Sequence, residues 1–212
     1  MKNTLFTLTV LKFRRAFLLF LLLFGAGCTQ SVAFKVESEI PVPLVSKIPI
    51  SMGVYYDEAF RHYVYRENSN DRPNWEIESG PSQVALFDQV LPSMFNDIKH
   101  LESLADTGPG TGINAILIPV IEEMQFSLPQ ETRLDIYEVW IKYRIRLLES
   151  DGSLISEWPL TAYGKTETEF FKNREQGLNN AMELALRDAG AKLAIGFPEV
   201  KEVKEWLAAR VD

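Results

Sequence analysis

The most constraining feature of this sequence is a long alternation of side chains between Leu134 and Leu148. Apolar residues from Tyr137 to Leu147 share one parity, and mainly charged residues from Glu138 to Arg146 share the other. Because successive side chains of a β-strand point to opposite faces, this pattern predicts a strand with one buried and one solvated face. The turn sequence at 150–153 predicts that a second strand, 154–165, returns antiparallel.

A helix and several short strands are predicted before this hairpin. Residues 79–82 combine capping hydroxyls with an early proline, and apolar residues at spacings of three and four follow. This pattern predicts a helix to about Leu104, with a kink at Pro92 because proline lacks the N–H of a helical hydrogen bond. Runs of β-branched, aromatic and apolar residues predict strands at 50–56, 63–67, 75–78 and 115–120, and a second extended piece at 121–128.

Two more helices are predicted after the hairpin. Asn173 is the expected start of a long helix whose buried stripe, from Leu178 to Leu193, consists mostly of small residues. A shorter helix is expected from Glu199 to Arg210. This order predicts an α+β fold, in which a mostly antiparallel sheet with a long hairpin is covered on one face by two helices.

The first 27 residues have the composition of an export signal. Arg14 and Arg15 precede an apolar run from Ala16 to Phe24, and small residues follow it. The apolar run is shorter than the roughly 20 residues that a membrane-spanning helix needs. Residues 1–27 are therefore predicted to be a cleaved signal peptide.

The only cysteine, Cys28, follows the small residues directly. This arrangement resembles the lipobox of bacterial lipoproteins, although that pattern usually has Leu where this chain has Gly25. The resemblance implies that the Cys28 sulfur receives a diacylglyceryl group and that Cys28 becomes the new N-terminus. Because Thr29 rather than Asp comes next, it also implies sorting to the outer membrane, on the periplasmic face.

The remaining chain is predicted to consist of a tether and one domain. Prolines at 41, 43 and 49 favour extended backbone, so residues 28–49 are predicted to be the lipidated N-terminus and a tether. Residues 50–212 have the length of a single periplasmic domain. Cleavage removes four of the 22 basic residues and none of the 29 acidic ones, which leaves a net charge of −11 with neutral histidines. Such an acidic chain is not expected to bind nucleic acid.

Residue patterns typical of enzymes are weak in this sequence. His62 and His100 lack the spacing of metal ligands, and the glycine-rich loop at 107–112 follows a predicted helix and lacks the lysine of a phosphate-binding loop. The acidic pairs at 57–58 and 122–123 would point to opposite faces of a strand, so they are interpreted as solvated positions. No catalytic residue, metal or cofactor is predicted.

Trp140, Lys142, Arg144 and Arg146 form the candidate interaction surface, because they share the solvated parity of the long strand. An aromatic residue among arginines on an exposed sheet is typical of a protein interface, or of a surface that meets acidic sugars or lipid head groups. The alternative is that these side chains pair across strands with acidic groups such as Glu157.

Four segments resemble an uncharacterised family of proteobacterial outer-membrane lipoproteins: SMGVYYDEAFRHYVY (51–65), GPSQVALFDQVLPSMF (80–95), YEVWIKYRIRLLESDGSLISEWPLTAYGK (137–165) and ALRDAGAKLAIGF (185–197). This resemblance implies no particular activity. The order of elements is also loosely similar to the anticodon-binding-like domain of periplasmic assembly and transport lipoproteins, which is an analogy of fold alone.

These observations lead to the expectation of a non-enzymatic accessory protein. It would be held at the outer membrane by its lipid and would assist assembly or transport by binding an envelope protein, or a second copy of itself. One alternative is a lipid or glycan carrier with an apolar cavity between its helices and sheet. A less favoured alternative is a hydrolase with two carboxylates buried together, which requires perturbed pKa values.

Overall fold

The computed structural model describes residues 31–36, 39–69, 73–108, 110–131, 133–168 and 173–211. Their contacts divide the chain into two compact units. The smaller unit comprises residues 1–32 and 67–75, and its described residues include ends of β-strands. The larger unit comprises residues 33–66 and 76–212 and contains the helices and the main sheet.

The described elements comprise eight strands and four α-helices. In chain order they are β1 (Ser31–Lys35), β2 (Ile48–Tyr55), α1 (Glu58–Arg61), β3 (Val64–Glu67), β4 (Asn74–Glu78), α2 (Gly80–Met94), β5 (Phe95–Leu101), β6 (Ala115–Ser127), β7 (Ile136–Glu149), β8 (Leu154–Glu167), α3 (Arg174–Gly196) and α4 (Lys201–Val211). A three-stranded sheet has the order β1-β4-β3, and the five-stranded main sheet has the order β5-β2-β6-β7-β8. None of the described helices is long and apolar enough to cross a membrane.

The fold belongs to the predicted α+β class, but the main sheet is mixed rather than mostly antiparallel. Strand β2 pairs in parallel with both β5 and β6, whereas β6, β7 and β8 pair antiparallel. The prediction was wrong about residues 95–104, which it assigned to a helix. Helix α2 ends at Met94, two residues after Pro92, and the chain enters β5 at once. Proline clashes with the preceding helical turn, and Asn96 and Asp97 are poor helix formers, so the helix stops there.

One face of the main sheet carries the core of the larger unit. The odd-numbered residues of β7 from Tyr137 to Leu147 are buried and face α2 and α3. The Tyr143 ring meets Phe87 of α2 edge-on, with centroids 6.0 Å apart, and its hydroxyl donates a hydrogen bond to Gln83 Oε1. Helix α3 packs its small-residue stripe against β7 and β8, as predicted, and its backbone comes close to Gly164 of β8.

The opposite face of the sheet is apolar at one end and polar at the other. A second hydrophobic cluster lies at the apolar end, formed by Leu101, Ile113, Ile116, Ile118 and Leu148. The loop after β5 supplies Ile113 and is held in place because Lys99 Nζ donates to Thr111 O at 2.8 Å. Only the part of this face near residues 138–146 of β7 therefore matches the expected solvated surface.

The ordered structure extends into the segment that is predicted to be a tether, 28–49. Strand β1 lies inside it, and Val36 bonds through its N–H to Glu78 O and accepts a hydrogen bond from Ser82 Oγ at 2.6 Å. Further along, Glu39 O accepts from Arg187 of α3. The fold therefore begins before Ile50, because this extended segment finds backbone partners that a free tether would lack.

Candidate interaction surface on the open sheet face

The four candidate residues lie on one side of the main sheet. Trp140, Lys142, Arg144 and Arg146 alternate along β7 with the buried residues that face α2 and α3, so they point away from both helices. We call the surface around residues 138–146 of β7, with its neighbours on β6 and β8, the open face. The structure thus brings the predicted residues together on a single surface.

A bulge in β6 adds acidic groups to the open face. The pairing of β6 with β7 shifts register between Ile121 and Glu123, so Glu122 is an extra residue on β6. Glu123 lies opposite Lys142, while Glu122 bonds to both Lys142 and Arg144. The expectation that Glu122 and Glu123 point to opposite faces was therefore wrong, because a bulge reverses the alternation of a strand.

A ladder of ion pairs joins Lys142, Arg144 and Arg146 of β7 to acidic neighbours. Lys142 Nζ lies 3.0 Å from Glu122 Oε2, and Arg144 bonds to Glu122 and, at 2.9 Å, to Glu157. Arg146 Nε lies 3.1 Å from Glu157 Oε2. The alternative of cross-strand pairing with Glu157 is thus confirmed for both arginines. We call these five residues, three cations and two carboxylates, the ion-pair ladder; they leave only one net positive charge.

The ladder favours the charged forms of Glu122 and Arg144. Hydrogen bonds from Lys142 and Arg144 hold the pKa of Glu122 below its ordinary value, and bonds to Glu122 and Glu157 raise the pKa of Arg144. A catalytic acid needs a raised carboxyl pKa, so Glu122 has the wrong shift for that role. The cations are about half exposed, with 42–46% of each side chain accessible, so each pair contributes little to stability.

We expect Arg144→Met to raise the pKa of Glu122, since the substitution removes one of its hydrogen-bond donors. In the wild type, the lowered pKa of Glu122 in the folded state stabilises the protein at pH values above the pKa of the unfolded state. That stabilisation is lost as the pH falls through the folded-state pKa. The variant should therefore lose less stability on acidification than the wild type. Carboxyl NMR titration of Glu122 measures the shift, and an unchanged pKa in the variant would contradict the ladder.

Trp140 stacks against Tyr163, which is its cross-strand neighbour on β8. The two ring centroids lie 5.1 Å apart with the ring planes tilted by 37°. The Tyr163 hydroxyl donates to Glu138 Oε1 at 2.6 Å, and burial and this carboxylate raise the pKa of Tyr163 to about 12. Tyr163 is therefore neutral, and it fixes the position of Trp140 from one side. We call Trp140 and Tyr163 the aromatic platform.

A shallow depression lies beside the aromatic platform, with a volume of about 400 Å³. Gln125 and Ser127 of β6 line it together with Trp140, Lys142 and Thr161. The Gln125 amide nitrogen donates to Glu123, which leaves its carbonyl oxygen available as an acceptor. The open face therefore combines a partly exposed indole, neutral hydrogen-bonding groups and paired charges.

Sequence reasoning missed part of this surface. Tyr163 was not predicted as part of it, because the register that places Tyr163 beside Trp140 is not visible in the sequence. The charge alternation of β7 located Lys142, Arg144 and Arg146, but no residue pattern marks the bulge that adds Glu122. Cys28 lies outside the described residues, so its lipidation stays a prediction.

The two histidines lie at separate exposed positions. His62 Nε2 is 3.3 Å from Glu58, and His100 Nε2 is 3.8 Å from Asp88, which also accepts a hydrogen bond from Tyr56. Within the part of the chain that the structure describes, no three His, Cys, Asp or Glu side chains are grouped so that they could hold a metal ion. The open face is therefore the main candidate for function.

Comparison with known proteins shows only remote similarity. No family model and no curated protein matches the sequence. Protein XCC0632 from Xanthomonas campestris, of the family DUF330, is a structural neighbour with 11% identity and a TM-score of 0.46; the match covers 77% of this chain and 92% of that one. A minor lipoprotein from Acinetobacter baumannii has 9% identity and a TM-score of 0.39, with coverage of 69% and 90%.

Uncharacterized lipoprotein B from Nitrosomonas europaea is a third neighbour. It shares 14% identity with a TM-score of 0.37, and the match covers 77% of this chain and 95% of that one. Similarities at this level transfer no activity and no residue to this chain. The comparison with the anticodon-binding-like domain stays a prediction.

Proposed function

We propose that this protein is a lipid-anchored accessory of the outer membrane, facing the periplasm, that binds an envelope protein through its open face and performs no chemistry itself. The observation that carries this proposal is the aromatic platform. Trp140 and Tyr163 are stacked on a sheet face that the described helices leave uncovered. Large aromatic side chains held in fixed positions are the usual energetic centres of protein interfaces.

The surroundings of the platform also suit a protein partner. Arginine is the charged residue most enriched at interfaces, and Arg144 and Arg146 are already paired with carboxylates. A partner that covers the ladder therefore does not bury an isolated charge, which would be costly. The neutral groups of Gln125, Ser127 and Thr161 can bond to a partner's backbone.

The proposed location rests on the N-terminal sequence. The basic, apolar and small-residue segments that end at Cys28 have the order of a lipoprotein signal. A protein held by its own acyl chains does not need a basic surface to stay at a membrane, which suits a mature net charge of −11. The role in assembly or transport follows from this location together with a binding surface.

A glycan ligand is a second candidate for the same surface, and the depression beside Trp140 is the observation that favours it. Sugar rings pack their C–H faces on indole rings while neutral amides and hydroxyls bond to their hydroxyl groups. A lipid carrier is less well supported. Phe87, Tyr143 and Met182 fill the space between the helices and the sheet, where such a carrier needs a cavity.

Crosslinking and affinity capture of the mature protein from detergent-solubilised envelopes test the proposal. We expect the wild type to capture one specific envelope protein and the Trp140→Ala/Tyr163→Ala variant to capture at least about ten times less, since interface centres commonly contribute 2 kcal/mol or more. Capture of glycan without protein would favour the second candidate. Equal capture of the same protein by the wild type and the variant would place the interface elsewhere.

The matched control is Leu134→Ala. Leu134 is 73% exposed and lies outside the open face, so its truncation removes exposed apolar surface without touching the platform. We expect this control to capture the partner as well as the wild type does. A loss in the control as great as in the platform variant would point to nonspecific apolar adhesion.

A further inference from the structure

Strand β8 is a 14-residue strand at the edge of the main sheet. Among the described strands it pairs with β7 alone, so its outer backbone groups face away from the sheet. Long unpaired edges invite a second strand to add by backbone hydrogen bonding. Side chains that bond to these backbone groups would therefore protect the edge from strand addition.

Two side chains from α3 reach the outer edge of β8. Asp188 Oδ2 accepts a hydrogen bond from the Tyr163 backbone N–H at 2.9 Å, and Lys192 Nζ donates to the Thr161 carbonyl oxygen at 3.0 Å. Lys192 Nζ also bonds to Asp188 Oδ2 at 2.7 Å. One carboxylate and one ammonium, a single helical turn apart, thus occupy one donor and one acceptor of the edge.

These two backbone groups are the ones that an added strand would use. Backbone groups of alternate residues point to the same edge of a strand, so those of Pro159, Thr161 and Tyr163 share the outer edge. If two copies of β8 met antiparallel about a twofold axis, Tyr163 N–H of each copy could donate to the Thr161 carbonyl of the other. Pro159 supplies no N–H at the next outer position, so the edge offers an added strand one hydrogen-bond donor fewer.

Asp188 and Lys192 cover these two backbone groups from α3. The side chains of Asp188 and Lys192 are 31% and 51% exposed, so solvent reaches the place where they meet β8. We propose that Asp188 and Lys192 close a latent strand-pairing surface on β8, and that without them this edge joins a second copy of the chain. The pair thereby helps to keep individual molecules apart when the membrane concentrates them in one plane.

The test compares Asp188→Ala/Lys192→Ala with the wild type as full mature chains in detergent. Sedimentation equilibrium in density-matched micelles gives the protein mass, and we expect roughly a doubling for the variant, as for a twofold pair. The control is Glu183→Ala/Arg187→Ala, since this pair has the same spacing on α3 but bonds to Glu39 rather than to β8. The control should keep the wild-type mass.

A third variant identifies the surface. Adding Thr161→Pro to Asp188→Ala/Lys192→Ala removes another N–H from the outer edge, as Pro159 already does, and should restore the wild-type mass. A folded double variant with the wild-type mass, an equal increase in the control, or an increase that Thr161→Pro leaves in place would each overturn the proposal. If the double variant does not fold, amide exchange at Tyr163 in Asp188→Ala alone, diluted until it is monomeric, decides. The proposal requires faster exchange, and an unchanged rate overturns it.

Discussion

Replacing Gly164 by Ala should destabilise the protein by about 3 kcal/mol, a large part of the stability of a typical domain. Gly164 lies on β8 where α3 crosses it, and a Cβ there would overlap the carbonyl oxygen of Ala181 and the backbone nitrogen of Ala185. Both obstacles are helix backbone, which cannot rotate aside as a side chain can. The helix would have to move off the sheet and lose contacts along its buried stripe. Urea unfolding measures the loss.

Gly196→Ala is the matched control for this prediction. Gly196 is the last residue of α3, its φ is −82°, and a Cβ there would meet no atom within 4 Å. Alanine favours helix more than glycine does, so we expect unchanged stability or a gain of up to about 1 kcal/mol. Similar losses in the two variants would mean that backbone contact at Gly164 is not what limits the approach of α3.

Replacing Cys28 by Ser should release the protein from the membrane completely. Serine cannot form the thioether that carries the diacylglyceryl group, and each buried methylene of an acyl chain contributes about 0.8 kcal/mol to membrane binding. Without its acyl chains, the variant should therefore move from the membrane fraction to the soluble fraction. Fractionation of envelopes measures the distribution. A variant that stays with the membranes would contradict the lipid anchor.

Thr29→Asp separates anchoring from sorting. The lipoprotein resemblance implies that Asp after the modified cysteine favours retention in the inner membrane. We therefore expect the Thr29→Asp protein to remain lipidated but to shift to the inner-membrane fraction on a density gradient. If it still reaches the outer membrane, the sorting part of the proposal fails while the anchor itself stands.

Much of the secondary structure follows from local patterns. The alternation of Tyr137 to Leu147 identifies β7, because a single parity must face the core. Asn173 caps α3 as predicted, since its side chain accepts the Gln176 N–H at 2.8 Å. The stripe of small residues on α3 was also predicted from the sequence, and it corresponds to the close approach of α3 to Gly164.

The features that the sequence did not reveal depend on partners distant in the chain. Phe95 and Ile98 continue the helical spacing of α2, yet they lie on β5 because β2 offers a parallel edge with which to pair. The bulge at Glu122 has no marker of its own and becomes visible only in the register with β7. For the candidate surface, the cations of β7 were predicted but the carboxylates that neutralise them were only partly foreseen.

The attachment of Val36 to the body of the protein limits where a partner can be met. A free segment from Cys28 to Pro49 could span about 70 Å when extended, enough to let the domain search a wide volume. Strand β1 already pairs residues 31–35 with β4, and Val36 is bonded to Glu78 and Ser82, so only the three residues 28–30 precede the sheet, and these extend to about 10 Å at most. A lipidated molecule would thus stay close to the membrane surface and diffuse laterally along it. Its encounters would be two-dimensional, with partners whose binding regions lie within one domain diameter of the bilayer.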